Sequence, residues 1–83
     1  MSKYIYFTPE EKARAQNTDL VSLLRALGER PVRSGREFRT PNDPSITVRS
    51  NKWFDHSKRE GGYAVSFVQR YYRLPYQEAV LLL

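Results

Sequence analysis

Apolar residues recur at helical spacing in three stretches of the chain and alternate with polar ones in a fourth. Leu20, Val21, Leu23, Leu24 and Leu27 fall on one face of a helix that Gly28 stops, and Asn17-Thr18-Asp19 supplies its polar start. Thr8-Pro9-Glu10-Glu11 predicts a shorter, more polar helix ending near Asn17. Threonine stands at the cap, proline at the first helical position, and a glutamate three residues after the threonine completes a capping box. Ala64, Val65, Phe67, Val68, Tyr71 and Tyr72 form another apolar helical face, with the two tyrosines at its core and rim. Pro75 opens a last helix carrying Ala79, Val80, Leu82 and Leu83.

Between these stretches the period shortens to two. Ser45–Arg49 (SITVR) is β-branched and alternating, Ser50-Asn51 is a two-residue turn signal, and KWFDH (52–56) returns as the antiparallel partner. RSGRE (33–37) predicts a turn between two short extended pieces, and TPNDPS (40–45), with two prolines, predicts a loop. Gly61-Gly62 is expected to turn the chain out of a charged loop into the next helix. The order helix–helix–small sheet–helix–helix predicts an α+β fold: one domain, 1–83, with a small antiparallel β-sheet flanked by helices. PYQEAVLLL stops without a cap or polar tail, so the domain is expected to be the N-terminal part of a longer protein.

Size and charge sharpen this picture. A chain of 83 residues buries only roughly 60% of its unfolded surface, so its core is marginal. With no cysteine, disulfides, thiolate metal sites and cysteine nucleophiles are excluded, and His56 is the only histidine. No metal or other cofactor is expected. MSKYIYFTPEEK lacks the apolar core of a signal peptide, and no stretch approaches the roughly 18 apolar residues of a membrane span. The expected setting is cytoplasmic, without membrane contact. The net charge of +5 sits entirely in residues 30–59, where Arg30, Arg33, Arg36, Arg39, Arg49, Lys52, Lys58 and Arg59 face only Glu37, Asp43 and Asp55. Six of those eight cations are arginine, the residue best suited to planar phosphate recognition.

Several segments then stand in a telling order. A leading apolar helix ends in LGER, a proline-bearing turn precedes SITV, and an aromatic KWF is followed by a loop ending in GG. The helix AVSFVQ and the segment LPYQEAV complete the series. Over residues 17–83 this resembles the N-terminal zinc-ribbon domain of bacterial DNA primases. It is closer still to the cysteine-free versions that head primase-like Toprim proteins of plasmids and conjugative elements. In that family the segment before the paired glycines holds a Cys-x-x-Cys, whose positions fall on Asp55 and Lys58 here. The first cysteine and histidine of the family fall within residues 39–43, where neither residue type stands. The resemblance therefore implies a zinc-ribbon-like fold with a degenerate, metal-free site, because one carboxylate and a lysine make no tetrahedral zinc site. Asp55 and Lys58 are expected to pair across the turn, with Trp53, Phe54, Phe67 and Val68 supplying core packing instead of metal.

The chemistry expected follows from charge and resemblance together. Arg33, Arg36, Arg39, Arg49, Lys52, Lys58 and Arg59 are expected to line a groove for nucleic-acid phosphates, with Trp53 as a base-stacking candidate. Trp53 and Phe54 are adjacent on a strand and point to opposite faces, so at most one meets solvent. About four neutralised phosphates on a single strand imply a log–log salt slope of roughly −3. Gly61-Gly62 lacks the lysine and hydroxyl partners of a phosphate loop, and His56 suits a polar surface role better than catalysis. No Gly-x-Ser-x-Gly, catalytic histidine pairing or metal-spaced carboxylate cluster is present, so the domain is not expected to be an enzyme. The expectation is a DNA-binding module of a primase-like DNA replication protein of a mobile element, contacting single-stranded DNA and the remainder of its parent protein. The alternative is a protein-docking module using the aromatic start (Tyr4, Tyr6, Phe7) and the apolar end.

Overall fold

In the computed structural model, which describes residues 6–83, four helices and five strands follow one another along the chain. They are α1 (Pro9–Gln16), α2 (Leu20–Ala26), β1 (Val32–Ser34), β2 (Glu37–Arg39), β3 (Ile46–Arg49), β4 (Lys52–Asp55), β5 (Glu60–Tyr63), α3 (Ala64–Tyr71) and α4 (Tyr76–Leu82). The fold is α+β, with a five-stranded antiparallel meander in which each strand pairs with its neighbour in sequence.

Local chemistry accounts for the helix ends. The Glu11 backbone N–H donates to Thr8 Oγ1 at 3.1 Å, and the Thr8 N–H donates to Glu11 Oε1 at 2.9 Å, closing the expected capping box of α1. Asp19 caps α2 by accepting the Ser22 N–H at 3.0 Å. Beyond its last turn, Gly28 takes φ 84°. The Gly28 N–H then reaches the Arg25 carbonyl and the Glu29 N–H reaches the Leu24 carbonyl, a Schellman ending. α3 lacks a side-chain cap of its own, and Gln16 from the end of α1 supplies one by accepting the Val65 N–H at 3.1 Å. Phe7 packs edge-on against Tyr76, with ring centres 6.3 Å apart. Tyr4 lies outside the described residues.

The register divides the sheet into two faces. Arg33, Phe38, Val48, Trp53 and Gly62 form one cross-strand row, joined on the same face by Ile46 and Asp55. This inner face meets the helices: Val48, Trp53, Phe67, Val68, Leu20 and Leu24 are all buried in one core. Trp53 Nε1 donates to Ser66 Oγ at 2.9 Å, so the indole is buried without an orphaned N–H. The outer face carries the rows Val32–Arg39–Thr47–Phe54–Gly61 and Arg49–Lys52–Tyr63.

Three sequence expectations change. Gly61 and Gly62 do not form a turn into the helix; they lie inside β5. A Cβ on Gly61 would sit 2.7 Å from the Trp53 carbonyl oxygen and 2.9 Å from the Phe54 ring, and one on Gly62 would sit 2.5 Å from Ser66 Oγ. Close approach, rather than turn geometry, requires the pair. Phe54 does not join the core, because β4 alternation turns it to the outer face, where it is 40% exposed. Leu27 and Leu82, expected on buried helical faces, are exposed at the ends of α2 and α4. Among the described residues, no helix is long and apolar enough to cross a membrane.

Candidate nucleic-acid interface

The outer face gathers three of the expected cations and two aromatic rings. Arg49 and Lys52 are direct register partners flanking the β3–β4 turn, and Lys52 pairs onward with Tyr63. The Lys52 ammonium lies 6.0 Å from the centre of the Tyr63 ring, which is half exposed. One row further, Phe54 pairs with Thr47 on one side and Gly61 on the other. The glycine leaves the Phe54 ring uncrowded by a side chain on β5. Arg39 belongs to the same row, across Thr47. Glu37, Thr47, Arg49, Lys52 and Phe54 line a shallow depression of about 280 Å³ on this face.

The remaining expected residues fall elsewhere. Trp53 is 7% exposed and packs on Phe67, with ring centres 6.3 Å apart, so it has no face for a base. The exposed stacking surfaces are Phe54 and Tyr63. Arg33 belongs to the inner-face row at the β1 edge, where its Nε donates to the Gly35 carbonyl at 3.2 Å. Arg36 lies at the β1–β2 turn, and Lys58 and Arg59 lie on the β4–β5 connection at the opposite end of the strands. Sequence reasoning missed Tyr63 because β5 itself was hidden by its two glycines. The lysine–tyrosine proximity becomes visible only once that strand is paired.

A different arrangement occupies the positions where the resemblance places metal ligands. Asp55 is 2% exposed on the inner face. Its Oδ1 accepts the Ser57 hydroxyl at 2.6 Å, the Ser57 N–H at 2.9 Å and the Lys58 N–H at 3.3 Å. Its Oδ2 accepts Arg70 Nη2 at 2.6 Å, and Arg70 Nη1 bridges on to Glu60 at 2.7 Å. The expected partner, Lys58, thus contributes only its backbone N–H; the ion pair runs to α3 instead. The Ser57 hydroxyl above all, with the backbone N–H groups and Arg70, holds the Asp55 carboxyl below its ordinary value of 3.8. Zinc does not fit these residues, since both Asp55 oxygens are committed to donors. Among the described residues, no group of three or more His, Asp or Glu side chains is placed to hold a metal ion.

A second polar cluster fixes the far end of the domain. The Glu29 carboxylate, held beyond α2 by the Schellman turn, accepts the Tyr71 hydroxyl at 2.7 Å and also the Tyr72 hydroxyl. Asn42 Nδ2 adds a third donor at 3.3 Å. Burial, reinforced by the neighbouring carboxylate, pushes the Tyr71 phenol up to about 12 and raises Tyr72 as well. These groups are structural: each hydroxyl is committed to Glu29. The sequence matches no protein-family model and no curated protein.

Proposed function

We propose that this domain is a non-catalytic nucleic-acid-binding module of a primase-like replication protein, contacting single-stranded DNA with the outer face of its sheet. The observation that carries the reading is the convergence of Arg39, Arg49 and Lys52 with the exposed rings of Phe54 and Tyr63 on that one face. Cations track the phosphates while flat rings accept bases of any sequence, the combination by which sequence-tolerant single-strand binders work. The opposite face is covered by helices and offers no comparable platform.

The test is fluorescence anisotropy of a labelled oligothymidylate titrated with the domain at several salt concentrations. Binding that weakens steeply with salt and is markedly weaker in the Arg49→Ala/Lys52→Ala variant supports the reading. Affinity unchanged in that variant overturns it. The second reading, a protein-docking module, draws on the exposed Tyr76, Leu81 and Leu82 of α4. It predicts salt-insensitive self-association and no oligonucleotide binding at low salt.

A further inference from the structure

A cleft of about 410 Å³ opens beside the Phe54 row, lined by Arg39, Pro44, Ser45 and His56. The His56 N–H donates to the Ser45 carbonyl at 2.8 Å, which extends the β3–β4 ladder by one pair and sets the two side chains beside each other. The imidazole is oriented from two sides. Its Nε2 meets Thr47 Oγ1 at 3.1 Å, and its ring stands edge-on to Phe54 with centres 4.9 Å apart. Three polar groups remain uncommitted. Among the described residues, the Arg39 guanidinium, the Ser45 hydroxyl and His56 Nδ1 have no hydrogen-bond partner. No carboxylate lines the cleft; Asp43 lines a neighbouring one, and its Oδ1 is bonded to the Ser45 N–H.

We infer that this cleft is a subsite for a phosphate group, held by the Arg39 fork, the Ser45 hydroxyl and the His56 ring. A guanidinium beside a hydroxyl and, in the tautomer whose Nε2 accepts from Thr47, an imidazole N–H matches the several acceptor oxygens of a phosphate, with no lining carboxylate to compete. The contact between His56 and Phe54 places the subsite where a base stacked on that ring would bring its own phosphate. The inference rests on the nucleic-acid reading for the source of the phosphate, which is either an internal diester or a terminal monoester of the strand.

Because His56 is the only histidine, its two ring C–H proton resonances report on the cleft directly. They are followed by NMR in a phosphate-free buffer at fixed pH and ionic strength, with inorganic phosphate, TpT and pTpT as probes. The expected result is a saturable shift with at least one probe. Saturation with TpT identifies the diester as source, and saturation with pTpT and inorganic phosphate alone identifies the monoester. Arg39→Gln should weaken saturation about tenfold, the loss of one charge-assisted contact. Ser45→Ala should weaken it severalfold, and Arg14→Gln, the same charge change on α1, should leave it unchanged. Shifts that never saturate, or that match the wild type in Arg39→Gln, overturn the subsite. Should the oligothymidylate bind while His56 stays silent, the subsite is wrong and the nucleic-acid reading stands. Should inorganic phosphate saturate His56 while no oligonucleotide binds, the reverse holds.

Discussion

Trp53 and Phe54 are neighbours of similar chemistry with opposite tasks, and substituting each separates the tasks. Replacing Trp53 with alanine removes a buried indole and its N–H bond to Ser66 Oγ, which keeps only its own bond to the Tyr63 carbonyl, at a cost of about 3–5 kcal/mol. That is most of the stability of a small domain, so thermal unfolding should show Trp53→Ala melting roughly 10–40 °C below the wild type. Phe54→Ala empties the outer face instead. It should leave the melting temperature nearly unchanged while weakening oligothymidylate binding about tenfold, since base–aromatic stacking contributes about 1–3 kcal/mol. Equal loss of binding and of stability in Phe54→Ala would count against its role on the open face. Gly61 is the silent partner of this pair: Gly61→Ala forces a methyl against the Trp53 carbonyl and the Phe54 ring together.

At the scale of elements, two polar clusters tie helices to the sheet and to each other, one through the Asp55 carboxylate and one through the Tyr71 and Tyr72 phenols, and each cluster has its own pH window. Asp55 is held below its ordinary value of 3.8, so its contribution is complete above that pH and is lost as pH falls through the lower folded value. Asp55→Asn, with its partner Arg70 left in place, should flatten the acid limb of a stability–pH curve measured by urea unfolding. Tyr71 and Tyr72 run the other way. Their phenols are raised above the ordinary value of 10.0, so the contribution is complete below pH 10.0 and is lost as pH climbs towards about 12. In the Tyr71→Phe/Tyr72→Phe variant the alkaline limb should be shallower than in the wild type, measured the same way. Neither cluster was legible in the sequence, because Asp55 and Arg70, or Glu29 and Tyr72, are brought together only by the packing of α3. The helices were legible because their signals are local: the Thr8–Glu11 box, the Asp19 cap and Gly28 each act within one turn. β3 and β4 were legible from alternation. β5 was not, because Gly61-Gly62 carries a turn signal in sequence and a packing requirement in space. The basic cluster was legible as composition, but its division between faces depends on register, which put Arg39, Arg49 and Lys52 together and sent Arg33 to the inner side.

For the whole molecule, the number of cations that share a face sets the salt response. On the proposed single-strand reading, three neutralised phosphates give a log–log slope of about −2, shallower than the roughly −3 expected from about four. Arg49→Ala/Lys52→Ala should flatten the measured slope to about −0.7. A wild-type slope well beyond −3 would mean that Lys58, Arg59 or Arg36 also reach the strand. The meander itself has a consequence in time. Every strand bonds only to the strand before or after it in the chain, so no pairing waits for a distant segment to arrive. Folds built from such local closures assemble quickly, in the range of milliseconds rather than seconds. The sheet can therefore grow hairpin by hairpin in the order of synthesis. The helix that covers it, α3, emerges directly after the last strand it must seal.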